Sequence, residues 1–190
     1  MAFFNVLKGD YPGLRQIDKT LDVGSAETGI VRGSALYIDG SGSVPVFRLA
    51  GDTQATDPTA TIYFSLMAQT DLVAGMAGTA GQGAAAGVTD PVLGTVSGVA
   101  KVTGLSCGMP LEFETDQYAD TDYDVMALLT VGASGKLTPH STGDNVVAQV
   151  TKAPATRWAN NAEAVAGYRT GANVTVLTAR TVWVPTLTVS

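Results

Sequence analysis

The chain has 190 residues, of which 45% are hydrophobic and 15% charged, with a formal net charge of -6. That much apolar and that little charged content can offset the ordering entropy of a packed core, which excludes a disordered chain, and the acidic balance repels phosphate backbones with no Lys/Arg cluster to reverse it. A single cysteine, Cys107, and a single histidine, His140, exclude an internal disulfide and a two-imidazole zinc site within one chain.

The N-terminal segment Met1 to Asp10 has neither a basic leader nor an apolar stretch of signal-peptide length, and no later stretch reaches membrane-spanning length without polar interruption. The expectation is a protein made and kept in a cytoplasm, or assembled there, with no membrane partner. Within residues 1–17, Phe3, Phe4, Val6, Leu7, Tyr11 and Leu14 stand close together, broken by Gly9-Asp10 and Pro12-Gly13. Two readings are open. The segment is an arm lying on a neighbouring subunit or on a partner protein, with Phe3, Phe4 and Tyr11 as apolar anchors and Arg15 as a polar contact, or it folds back as an edge strand of its own domain.

Runs rich in Val, Thr, Tyr and Phe, separated by Gly, Asp, Ser and Pro, make this a mainly β chain. Strands are expected at Ile30 to Ile38, Val44 to Leu49, Thr61 to Met67, Leu111 to Thr115, Val125 to Val131, Val146 to Thr151 and Val174 to Val184. Leu111, Phe113 and Thr115 alternate with Glu112 and Glu114, which predicts one buried and one wetter face. Asp39-Gly40-Ser41-Gly42 and Gly132-Ala133-Ser134-Gly135 read as hairpin turns. Short helices are expected at Asp71 to Met76 and Asn160 to Ala166.

Around Gly75 to Gly87 the chain is almost all Gly and Ala, with little side chain to pack, and reads as a long loop. The halves on either side are small for separate cores, so residues 18–190 are expected to form one β-rich domain with an insertion near 75–98. The fold class is a single-domain β-barrel or β-sandwich.

Several motifs suggest chemistry. Gly104-Leu105-Ser106-Cys107-Gly108 matches the G-x-S-x-G nucleophile elbow, and acids from Asp116 to Asp124 followed by His140 give the hydrolase order. The elbow must launch a helix, whereas Met109-Pro110 leads into the alternating strand from Leu111, so a Gly-flanked turn entering a strand is expected and no catalytic residue is assigned. Gly81-x-Gly83-x-x-x-Gly87 lacks the strand and acidic residue of a dinucleotide site. Asp120-x-Asp122-x-Asp124 opens like a calcium loop but has Val125 where glycine and Val131 where glutamate would be needed. No cofactor is expected and no metal ligand is assigned; a weaker cation site using the Asp120, Asp122 and Asp124 carboxylates at a subunit contact stays open. Cys107 reads as a small buried hydrophobe and His140 as an exposed, inert turn residue.

The passage Tyr123 to Pro154 runs through an apolar strand, the turn Gly132-Ala133-Ser134-Gly135-Lys136, Leu137-Thr138-Pro139, a Gly143-Asp144 turn and a valine-rich strand. It resembles a pattern common in bacteriophage capsid decoration, or cement, proteins. Gly33 to Tyr37 followed by a Gly-rich turn is similar to an earlier strand of that family, although Ala148-Gln149 stands where a glycine-tyrosine pair is often seen. The resemblance implies a structural protein of the virion, assembled in the host cytoplasm and placed on the outer surface of the head. It further implies binding to the major capsid protein as a homo-oligomer, a trimer ahead of a dimer, and brings no catalytic residues. The alternatives are a phage tail-tube or baseplate subunit, and a carbohydrate-binding β-sandwich using Trp158, Trp183 and the tyrosines as stacking platforms.

Overall fold

The computed structural model describes residues 3–8, 18–24, 27, 29–66, 88–90, 94–96, 101–106, 111–119, 122–158 and 173–182. These form two main antiparallel sheets. In the six-stranded sheet, β1 (Phe4–Lys8), β9 (Glu112–Thr115), β13 (Asn173–Thr181), β12 (Ala148–Trp158), β10 (Leu128–Val131) and β11 (Leu137–Pro139) lie side by side in that order. The five-stranded sheet runs β2 (Asp18–Asp22), β8 (Lys101–Ser106), β5 (Tyr63–Ser65), β3 (Ala35–Asp39), β4 (Val46–Leu49). A separate hairpin pairs β6 (Val88–Asp90) with β7 (Gly94–Val96), inside the span expected to be an insertion.

The alternation in each strand decides what it buries. Ala35 and Phe64 from one sheet meet Phe4, Phe113, Leu129, Val131, Val150 and Leu177 from the other in one shared cluster. Phe64 is central: its ring lies 4.8 Å from that of Phe113 and 5.7 Å from that of Phe4, spacings at which aromatic pairs add about 0.5–1.5 kcal/mol beyond area burial. The opposite face of the five-stranded sheet gathers a second cluster of Val23, Ile30, Leu36, Phe47, Tyr63 and Val102. Val23, one residue past β2, makes a single bridge to Phe47 of β4, so the two edge strands of that sheet approach each other at one point. Tyr118 makes a similar bridge to Leu137 of β11.

Both expected hairpins form, β3–β4 across residues 40–45 and β10–β11 across a 3₁₀ turn at Ala133–Gly135. Ser134 and Gly135 have φ of 60° and 68°, and the Gly135 amide donates to Ala50 O at 2.9 Å, tying the tip of one hairpin to the base of the other. A Cβ on Gly135 would stand 2.7 Å from Ala35 O, so glycine is needed there for space as well as for its dihedrals.

Three sequence expectations are corrected. Glu114 does not lie on a wet face: it is fully buried, because β9 is an inner strand with Asn5 of β1 on one side and Thr178 of β13 on the other. Val125 and Met126 do not belong to a strand but to a turn, Met126 having φ 75°. Gly104, Leu105 and Ser106 do not form a turn; they are the end of β8, where pairing with β2 and β5 keeps them extended. The one α-helix among the described residues, α1 (Asp52–Thr56), was not expected. The helices expected at 71–76 and 160–166, and the Gly/Ala tract at 75–87, lie outside the described residues.

Candidate binding cleft and exposed turns

A cleft of about 360 Å³ lies between the outer part of β3 and the segment that leads into β5. It arises from an incomplete ladder. β5 pairs with β3 only at Ala35↔Phe64 and Leu36↔Tyr63, after which β3 continues to Asp39 while residues 57–62 turn away. Ile62 turns into the intersheet core and Tyr63 packs on the other face, its ring edge-on to Phe47 at 5.4 Å. Tyr37, Asp39, Gln54, Asp57, Thr59 and Tyr63 supply the polar and aromatic lining.

Asn145 anchors the far wall. Its amide donates to Ala55 O at 2.6 Å, and its Nδ2 donates to Gln54 O at 3.1 Å and to Asp57 O. These carbonyls belong to the end of α1, which has no partner for them within so short a helix. At its start, Gln54 Oε1 accepts from the Gly51 amide at 3.1 Å.

Both carboxylates of the cleft are locked in local turns. Asp39 Oδ1 accepts from the Ser41 amide at 2.9 Å and Oδ2 from Arg48 Nε at 2.6 Å. The Ser41 hydroxyl and amide, followed by the Arg48 guanidinium, hold the Asp39 carboxyl down at about 2. Asp57 Oδ1 accepts from the Thr59 hydroxyl at 2.7 Å and amide at 2.8 Å, and these bonds lower its pKa. Arg48 also stands 3.7 Å from Glu27, so this one guanidinium serves two carboxylates. Groups ionised this firmly accept hydrogen bonds and attract cations but make poor general acids at neutral pH.

The residues singled out from sequence are scattered. Phe3 and Phe4 are buried in this chain's own core, with Phe4 between Phe64 and Phe113, so the fold-back arrangement is the one observed and these two rings are not presented on an outward arm. Tyr11 and Arg15 lie outside the described residues, as do Cys107, Asp120 and Trp183. Trp158 ends β12. His140 is half-buried rather than exposed, its Nε2 donating to Asp144 O at 3.0 Å across a tight turn. Asp122 and Asp124 are exposed. Among the described residues, no group of three or more His, Cys, Asp or Glu could hold a metal ion.

A second feature was also missed: two turns that present apolar side chains to solvent. Val125 and Met126 are 55% and 62% exposed, and Val44, near the tip of the β3–β4 hairpin, is 59% exposed. Ala127 donates to Asp124 O at 3.1 Å, closing a turn in which Met126 occupies the left-handed position that glycine favours. Its conformation is held from outside the turn, by Met126 N to Val150 O at 2.9 Å and by Gln149 Nε2 to Met126 O at 3.3 Å. The cleft had a partial signal in Asp39-Gly40-Ser41 and Asp57-Pro58-Thr59, both Asx-turn patterns. Nothing local told that the two would face one cavity.

No family model matches the chain, and no curated protein and no solved structure matches it.

Proposed function

We propose that the protein is a structural component of a bacteriophage head, a decoration protein that binds across subunits of the major capsid protein from outside and stabilises the shell. In this reading it acts as a homo-oligomer, a trimer ahead of a dimer, and as a two-sheet sandwich whose five-stranded layer is drawn toward closure where Val23 meets Phe47. It has no catalytic task.

The observation that carries the reading is the arrangement of Tyr123 to Pro154. The passage that resembles decoration proteins folds as one contiguous unit, with β10 flanked by β11 and β12 in the six-stranded sheet. Tyr123 is buried beneath it and donates from its hydroxyl to Leu137 O at 3.1 Å. The same unit carries the exposed Val125–Met126 turn. A non-glycine residue in the left-handed region costs on the order of 1 kcal/mol, and the mostly solvent-facing Met126 side chain recovers little of it by burial in its own fold, which suits a contact residue.

The test is co-sedimentation with empty heads assembled from the capsid protein of the same genome, together with light scattering of the free protein. Saturable binding at a fixed number of copies per head is expected, with Met126→Asp lowering occupancy while the melting temperature holds. A protein that stays monomeric at high concentration and leaves heads undecorated overturns the reading.

A further inference from the structure

The incomplete ladder that forms the cleft leaves backbone hydrogen-bonding groups facing it. The Ala50 amide donates to Ala35 O, so in the antiparallel register of β3 with β4 the residues of β3 bonded to β4 are Ala35, Tyr37 and Asp39. The intervening residues, Leu36 and Ile38, face β5. Ser65 N donates to Ser34 O at 2.9 Å and Leu36 pairs with Tyr63, which makes Thr61 the next partner in line for Ile38. No backbone hydrogen bond joins Ile38 to Thr61. The Ile38 side chain packs against the cluster of Leu36, Phe47 and Tyr63, so its amide and carbonyl are held in strand geometry with their ladder partner missing.

We propose that this gap is a strand-docking groove. It takes a short, extended peptide segment of another protein, which adds to β3 at Ile38 and places a Lys or Arg side chain between Asp39 and Asp57. An exposed ladder position templates an added strand through main-chain bonds, while neighbouring side chains set which residues it accepts. Charge argues for a basic segment: two carboxylates line the cleft, and Arg48, the cation bound to Asp39, is already shared with Glu27. The cavity volume lies in the range of sites that enclose small ligands, roughly 300–1,000 Å³. Asn145 fastens the Asp57 carbonyl, so this wall of the cleft is tied to the chain just before β12. The groove is independent of the Val125–Met126 turn and of whether the molecule sits on a phage head.

The probe is a labelled pentapeptide, Thr-Val-Lys-Val-Thr with blocked ends, titrated against the full chain by fluorescence anisotropy, with amide chemical shifts to locate it. Expected are saturable binding, shifts centred on Ile38 and Thr61, and loss of binding when lysine is replaced by glutamate. A strand bonds along one edge only, so N-methylation of alternate residues should abolish binding in one pattern and spare it in the other. Asp57→Asn, which preserves the Thr59 turn, should weaken binding by roughly twofold to fivefold, the range of an exposed ion pair. Absence of binding at about 1 mM peptide, equal binding of the glutamate peptide, tolerance of both methylation patterns, or shifts elsewhere would each overturn the proposal.

Discussion

The ring of Phe47 fills the space that a side chain at Gly104 would need: a Cβ on Gly104 would stand 2.8 Å from Phe47 Cζ and 3.0 Å from Tyr63 Cβ. The first glycine of the G-x-S-x-G sequence therefore has a packing reason. It lets β8 pass beneath an aromatic pair in the core of the five-stranded sheet, and that requirement holds whether or not a nucleophile follows.

Gly104→Ala is expected to destabilise the fold by about 1–3 kcal/mol, because Phe47 is fully buried and cannot swing away without displacing Tyr63. Urea denaturation of the two proteins measures it. In the same preparation, a fluorophosphonate probe should leave Ser106 unlabelled, since Gly104 to Ser106 form an extended strand end. Covalent labelling there would reinstate a hydrolase.

The N-terminal strand is a stability element. Phe4 is 5% exposed and its ring lies 5.3 Å from that of Phe113, so Phe4→Ala should cost about 3 kcal/mol or more through lost burial and the cavity left between the sheets. Deleting Met1 to Asp10 removes the whole of β1 and should lower the melting temperature outright. A truncated protein that melts like the full chain would show that β1 contributes no stability to its own fold.

Asn145→Ala removes two donors from carbonyls at the end of α1 and should cost about 1–2 kcal/mol. Amide exchange in Gln54 and Ala55 should quicken more than in β12, because the helix loses both side-chain bonds from Asn145 while the strand keeps its ladder. Equal protection in the variant would mean that packing of Ala55 and the main-chain bond from Asn145 N to Ala55 O hold the helix without the side chain.

Acid should release the Asp39 network. Its carboxyl titrates near 2 in the folded protein against an ordinary 3.8, so the folded form binds its proton less readily than the unfolded chain. The stabilisation is therefore complete above the ordinary value and is lost as pH falls from there through about 2. Comparing wild type with Asp39→Asn from neutral pH downward, the wild type should hold its advantage at neutral pH and the two curves should converge at the acid end. Curves that stay parallel throughout would exclude a contribution from this carboxylate.

The strand content of the chain and both hairpins were legible in the sequence, because they depend on local chemistry. Val-, Tyr- and Phe-rich alternation specifies an extended segment, and Gly135 at positive φ specifies a tight reversal whatever lies elsewhere. Short elements were not legible. α1, with five residues, owes its position to Asn145, ninety residues away, and β11 is three residues long and carries a proline. Strands that short have too few residues for a period to show.

What only the tertiary structure decided is which face of each strand is covered and what stands opposite what. Glu112 and Glu114 look equivalent in sequence, yet β9 lies between β1 and β13 and Glu114 is buried while its neighbour is half-exposed. Phe3 and Phe4 could have reached outward or folded back. Pairing of β1 with β9 put Phe4 between two other rings, where burial on all sides outweighs the entropy of a free terminus. The cleft depends on a ladder that stops one step short, at Ile38 and Thr61, twenty-three positions apart. Local propensity acts over a few residues and specifies strands and turns, whereas strand order and sheet packing join distant segments, so the groove and its charges exist only in the assembled fold.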